Sequence, residues 1–153
     1  MFANPVQPLP GNKFYLLVGD GATPTEAFTF FCVATTISSK HGAEAEDAWA
    51  PVCSDPAALP TRTSAIKGLT WDLTASGLAD PSKMPYQRVK TAYRAGTPIN
   101  IQLMRNLPGA SGGDLEQQAF LVTSWSEDKA DNGLVKFSIE FHGQGKPTVT
   151  PNA

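Results

Sequence analysis

The chain has 153 residues, of which 41% are apolar and only 17% charged, with a formal net charge of −2. This length suits one compact unit, residues 1–153, burying roughly 70% of its unfolded-chain surface, and the composition excludes both a highly charged disordered tail and a basic reader of DNA sequence. Thirteen glycines and thirteen prolines, with Ser and Thr throughout, imply many turns between short strands, so the expected class is mainly β.

Residues 1–12 contain Pro5, Pro8 and Pro10, no basic segment and no continuous apolar stretch. They read as an extended N-terminal arm rather than a secretory signal or a helix. No window approaches the ~18 apolar residues that span a bilayer, so a soluble protein without membrane contact is expected. Lys13–Val18 is β-prone and is closed by Gly19-Asp20-Gly21. With the Phe, Val and Thr of Phe28–Ile37 it predicts a hairpin with a loose loop. Phe28, Phe30, Phe31 and Val33 place apolar side chains on both faces, which predicts a strand covered twice, within the fold or against a partner copy. Without an export signal, Cys32 and Cys53 are expected to be reduced, partly buried thiols.

From Ser38 to Pro60 the character shifts to Gly, Ala, Pro and acids, with Glu44, Glu46, Asp47 and Asp55 against Lys40. No period is evident, and the segment reads as a long loop. Loops of this length in compact domains tend to be functional or to order on binding. Leu69, Trp71 and Leu73 then alternate with Thr70, Asp72 and Thr74, predicting a long strand over Arg62–Ser76. Asp80-Pro81 resembles a helix start, and Tyr86, Val89 and Tyr93 form one apolar stripe ending at Gly96. One flanking α-helix is expected, with Lys83, Arg88, Lys90 and Arg94 on its solvated side.

Ile99–Arg105 alternates again, and 106–114 is a Pro/Gly/Ser loop. Ala119–Glu127 and Leu134–His142 predict a hairpin about Asp128–Gly133, the second strand setting Val135, Phe137, Ile139 and Phe141 against Lys136, Ser138, Glu140 and His142. Residues 143–153, with Pro147 and Pro151, read as an extended C-terminal arm. The expected core is Leu69, Trp71, Leu73, Ile101, Leu103, Val135, Phe137, Ile139 and Phe141, with Tyr86, Val89 and Tyr93 packing the helix onto the sheet.

Chemistry-bearing motifs are sparse. Cys32, His41, Cys53 and His142 lie too far apart for a zinc pattern, so no metal is expected. No feature marks either thiol as activated beside a His, and Gly109–Gly113 lacks the lysine of a phosphate cradle. Glu44 and Glu46 read as solvent-facing acids rather than a glycosidase pair. The expectation is a non-enzyme without cofactors. Open sheets expose unpaired edges that natural monomers cover unless another copy is meant to pair there, and head-to-tail pairing closes into rings that stack.

Three stretches, Lys13-Phe-Tyr-Leu-Leu-Val-Gly-Asp20, the acidic segment before Arg62 and Ile66-Lys-Gly-Leu-Thr-Trp-Asp-Leu-Thr-Ala-Ser-Gly77, resemble the major tail tube proteins of long-tailed bacteriophages and gene transfer agents. The order of the later elements, through Val89–Pro98, Ile99–Arg105 and Phe137–Gly145, is similar to the same proteins, so the likeness covers roughly Lys13 to Gly145. The resemblance implies a β-sandwich or partial barrel with a flanking helix. It further implies a structural virion protein, assembled in the bacterial cytoplasm, whose hexameric rings stack into a tube that carries DNA. A tape-measure protein, a tail tip and a tail terminator are the implied partners.

It implies, too, that the 38–60 loop and the terminal arms reach neighbouring copies, so Glu44, Glu46, Asp47 and Trp49 join Phe28, Phe30 and Phe31 of the twice-covered strand as the candidate contacts between subunits or rings. A bore that passes a polyanion must not trap it. Thr70, Asp72, Thr74, Ser138 and Glu140 are therefore the lumen candidates, with Lys136 the awkward member and the basic helix outside. The alternatives are the tube of a contractile tail or secretion system, a monomeric β-sandwich binding module such as a tail-tip or accessory protein, and a small β-barrel enzyme using Cys32, Cys53 and His41.

Overall fold

Alternation of apolar and polar side chains builds this molecule, because a period of two sends one set of residues to each face of a strand. The computed structural model describes residues 6, 8–129 and 133–153. Its strands are β1 (Phe14–Gly19), β2 (Phe28–Phe30), β3 (Ala34–Ala50), β4 (Thr61–Leu78), β5 (Ile99–Arg105), β6 (Asp114–Lys129) and β7 (Val135–Pro151), with one helix, α1 (Met84–Ala95), between β4 and β5. The seven strands make one antiparallel sheet in the order β2-β1-β5-β6-β7-β4-β3.

The sheet curls over its own apolar face. Trp71 of β4 meets Phe120 of β6 edge to face at 4.9 Å, and Phe31, just after β2, packs against Phe137 of β7 at 5.8 Å. This corresponds to the partial barrel rather than to two stacked sheets. Leu16, Val18, Ile101, Leu103, Leu73, Ile139 and Phe141 fill the concavity. Helix α1 closes its open side with Pro85, Tyr86, Val89 and Ala92, the Tyr86 ring standing edge-on to Phe137 and Trp125.

Several boundaries differ from the sequence expectation. The expected loop over 38–60 is mostly strand: β3 runs to Ala50 and pairs with β4 out to Ala50↔Thr61, leaving 51–60 as the connection. Ala and Glu are poor strand formers, but β4, rich in Thr with Ile66 and Trp71, supplies a backbone ladder, and pairing outweighs local propensity. The 143–153 arm is likewise strand as far as Pro151, because Thr148–Pro151 pair with Asp114–Gln117. Pro147 lies at the register shift between Gln117 and Ala119, beyond the last β4 pairing at His142, and Gly145 takes a φ of 83° there. Proline is admitted where a strand has one neighbour and bulges, and Gly supplies the left-handed turn. Of the N-terminal arm, residues 1–5 and 7 lie outside the described residues, as do 130–132 of the expected turn, and Gly11–Lys13 forms a 3-10 turn.

The helix starts later than Asp80. The Asp80 carboxylate instead accepts from the Ser82 N–H at 3.1 Å and the Ser82 hydroxyl at 2.6 Å, a local turn, and the chain becomes helical at Met84 with Pro85 in the first turn. Gly96 ends it at a φ of 69°. Three expected core residues lie elsewhere. Leu69 is 80% exposed, Tyr93 is exposed at the rim against Trp125, and Val135 is half-buried at a strand end. The early hairpin is shorter than expected too. β2 holds only three residues against β1, and β3 leaves for the far edge of the sheet. Both cysteines are exposed rather than partly buried.

Candidate assembly surfaces

The convex face of the sheet is the first surface. Because β4 and β7 pair antiparallel with Thr74↔Glu140, Asp72↔His142 and Ser76↔Ser138, the residues between the buried positions come together on one face. Asp72, Thr74, Ser138 and Glu140 are thus neighbours, while Thr70 lies one step further along β4, opposite Gly42. Ser38 and Thr36 of β3 and Ser124 and Ser126 of β6 extend the rows on either side. These serines and threonines were not among the sequence candidates, since only the strand order shows that their rows adjoin. The charges on this face, Asp72, Glu140 and Asp128 against Lys40 and Lys136, nearly cancel. The wall is hydroxyl-rich and close to neutral.

The second surface is the outer half of the β3–β4 hairpin. Past His41↔Trp71, the ladder continues for nine more residue pairs, yet residues 43–49 and 61–69 are all exposed. Trp49, at 72% exposure, and Ile66, at 63%, stand in solvent beside Leu69. Glu44, Glu46 and Asp47 also lie on this arm, with Asp47 accepting a hydrogen bond from the Ser64 hydroxyl. Ile66 and Leu69 are exposed apolar residues that sequence reasoning did not place on this surface. Leu69 continues the alternation of Trp71 and Leu73, Ile66 lies just past the register shift, and only the arm's projection past the core leaves both bare.

The phenylalanine candidates separate. Phe28 is half-buried and Phe30 half-exposed, the latter edge-on to Tyr15 at 5.0 Å. Phe31 is 1% exposed inside the core and is withdrawn as a contact between copies. Cys32, Cys53 and His142 do not converge, and among the described residues no three His, Cys, Asp or Glu side chains group as a metal site. Among the same residues no helix is long and apolar enough to cross a membrane.

A charge cluster built around the buried Glu116 lies at the root of the arm. His41 stacks on Trp71 at 4.9 Å, and its Nε2 lies 3.3 Å from the Glu116 carboxylate across the mouth of the barrel. Glu116 in turn pairs with Arg105, which donates to Asp114 at 2.8 Å. Burial disfavours the Arg105 charge, but the hydrogen bonds it donates to Glu116 and Asp114, with their charges, outweigh it and hold the guanidinium above its ordinary pKa. Trp71 Nε1 donates to Ser39 Oγ at 2.9 Å, tying β4 to β3 at the same level. On the far side, Arg88 Nε donates to the Gly19 carbonyl at 3.2 Å and Lys90 lies 5.4 Å over the Trp125 ring. Half of the helix's basic residues therefore serve packing.

Residues 8–149 match the family of phage tail tube proteins. A solved chain from the virion of a native gene transfer agent particle superimposes with a TM-score of 0.70 at 13% identity, covering 92% of this chain and 98% of that one. The SPP1 tail tube gives 0.71 at 13% identity, over 95% and 80%. A sheath–tube complex of an extracellular contractile injection system gives 0.59 at 12% identity, over 94% and 92%. At these identities the likeness is one of fold. Comparison with curated protein sequences gave no match.

Proposed function

The chain belongs to the phage tail tube protein family, and on that premise we propose that six copies close into a ring, that rings stack into a tail tube, and that DNA passes along its bore. Tail tube proteins are structural virion components working as stacked oligomers, so the residues are asked for geometry rather than catalysis. The whole chain acts as one folded unit and needs no cofactor. A tape-measure protein sets the length, a tail tip starts the stack, a terminator ends it, and assembly takes place in the host cytoplasm.

The arm carries this reading. A two-stranded hairpin without a third strand or a covering layer is marginal in water, and this one holds Trp49, Ile66 and Leu69 bare. A neighbouring ring supplies the missing cover. Lateral closure uses the two free margins of the sheet, β2 and β3. β3 is 17 residues long and carries no proline, so it offers a long backbone edge to a neighbouring copy. Phe28 and Phe30 lie on the opposite margin. The margins differ, so the contact is heterologous and closes as a ring.

The convex face lines the bore. Asp72, Thr74, Ser138 and Glu140, continued by Thr70, offer hydroxyls and a near-balanced charge. DNA then meets no array of cations that would release its counterions and hold it. The helix, with Lys83 and Arg94 exposed, lies on the outer wall.

The test replaces residues 45–67 by Asn-Gly, joining the paired Glu44 and Gly68 with a two-residue turn. Circular dichroism and melting should show a folded body, while negative-stain microscopy shows no stacked tubes at concentrations where the unaltered protein forms them. Tubes of normal diameter from the shortened chain, or an unaltered protein that stays monomeric under all conditions, would overturn the reading.

A further inference from the structure

Helix α1 and strand β6 meet along an aromatic seam, where Tyr86 and Tyr93 of the helix stand edge-on to the Trp125 ring at 5.7 and 6.0 Å. Beside the seam lies a cleft of about 160 Å³, lined by Lys90, Tyr93, Arg94, Trp125 and Glu127. Lys90 and Arg94 are one helical turn apart and so share a side of α1, with Lys90 lying 5.4 Å over the Trp125 ring. Glu127 follows Trp125 on the same face of β6. A cavity of about 150 Å³ holds a benzene molecule, so this cleft has room for the end of one side chain and for nothing folded.

The cleft has two deficits. Two cations line it against one carboxylate, which leaves one positive charge in excess. Among the described residues, moreover, the Trp125 Nε1 and the Tyr86 hydroxyl are buried without a hydrogen-bond partner, the Tyr86 side chain being only 1% exposed. That hydroxyl lies close to Trp125 and Glu127, both walls of the cleft. Buried donors are seldom left unpaired in a native structure. A water molecule would close the second deficit and leave the first. A carboxylate closes both, because it carries the missing charge and its two oxygens accept from N–H and O–H donors.

We propose that this cleft binds a carboxylate, borne as a glutamate or aspartate side chain on an extended acidic segment of a partner protein. The segment is acidic because α1 carries Arg88, Lys90 and Arg94 and no acid. The partner is another protein because, on the tube reading, the helix lies on the outer wall away from neighbouring copies. Access in the assembly rests on that reading; the site itself does not.

Titrating the unassembled, isotope-labelled protein with two blocked tripeptides, acetyl-Gly-Glu-Gly-amide and acetyl-Gly-Gln-Gly-amide, tests the site. NMR reads the indole N–H of Trp125, identified through Trp125→Phe. The Glu peptide should move that resonance saturably and bind about tenfold more tightly than the Gln peptide, while the Trp49 and Trp71 indoles stay in place. Lys90→Gln with Arg94→Gln should weaken the Glu peptide by about tenfold in a protein that stays folded by circular dichroism. Arg94→Gln alone, at an exposed position, should weaken it in the same direction. A Trp125 resonance that does not move, equal binding of the two peptides, or variants that bind like the unaltered protein would overturn the site. Sedimented tubes should retain radiolabelled Glu peptide as tightly as the subunit does. Binding by the subunit but not by tubes would leave the site standing and overturn the outward placement of the helix.

Discussion

β3 and β4 pass through two environments, and the contrast explains the molecule. In the inner half, Ile37, Trp71, Leu73 and Ala75 pack into a curled sheet whose centre is closed by Phe120, Phe137 and Phe141. In the outer half the hydrogen-bond ladder is just as regular, but Ile66 and Leu69 are bare. Backbone pairing is the same in both, and burial is not. Apolar area removed from water stabilises by about 25 cal/mol per Å², and the arm removes almost none until something covers it. The body thus covers its apolar residues within one chain, whereas the arm leaves its own in solvent.

Three perturbations break or sharpen that contrast. The largest is Phe120→Ala, which empties the centre of the body and should lower monomer stability by ~3–5 kcal/mol in urea unfolding. The matching Leu69→Ala, one turn of pleat beyond Trp71, should change it by no more than about 0.5 kcal/mol. Comparable losses at the two sites would remove the distinction between body and arm.

A smaller effect is expected at the boundary. Glu116→Gln keeps the shape but removes the charge that Arg105 and His41 share, and should cost ~1–3 kcal/mol. Amide exchange should quicken at His41 and Trp71 before it changes at Ile139. Unchanged exchange at the root would mean that stacking on Trp71, rather than the charge cluster, fixes where the arm departs.

The mildest perturbation is alkali. Burial under α1, with Glu127 nearby adding to it, pushes the Tyr86 phenol up to about 12 from its ordinary 10. The folded state thus prefers the neutral phenol. The stability this contributes is fully present below pH 10 and is lost as pH rises through about 12. In a Tyr15→Phe, Tyr93→Phe background, where Tyr86 is the sole phenol, urea midpoints should be flat with respect to this group up to pH 10 and then fall together with the appearance of phenolate absorbance. A phenolate signal that rises well below pH 11 without loss of structure would show that the helix does not seal the core at Tyr86.

Much of the body was legible in the chain because alternation is a local signal. Trp71, Leu73, Ile101, Leu103, Phe137, Ile139 and Phe141 were read as core from their spacing, as were Tyr86 and Val89 on the helix. The polar partners Asp72, Thr74, Ser138 and Glu140 were read as one class of surface. Leu69 shows where that reasoning stops, since it continues the apolar period of Trp71 and Leu73 yet projects past the layer that would cover it. Phe31 is the converse, a member of an aromatic run that looks available to a partner but turns into the core immediately after β2.

By itself, the chain's order of residues determined the class, the polarity of each strand face and the single helix, because these depend on neighbours two to four positions away. Only the tertiary structure decided that 38–50 and 143–151 are strands, that β4 lies between β7 and β3, and that the arm outruns its core. Each of those depends on which distant backbone offers its hydrogen bonds. Ala and Glu residues with no preference for a strand become one when a long partner presents a complete ladder beside them.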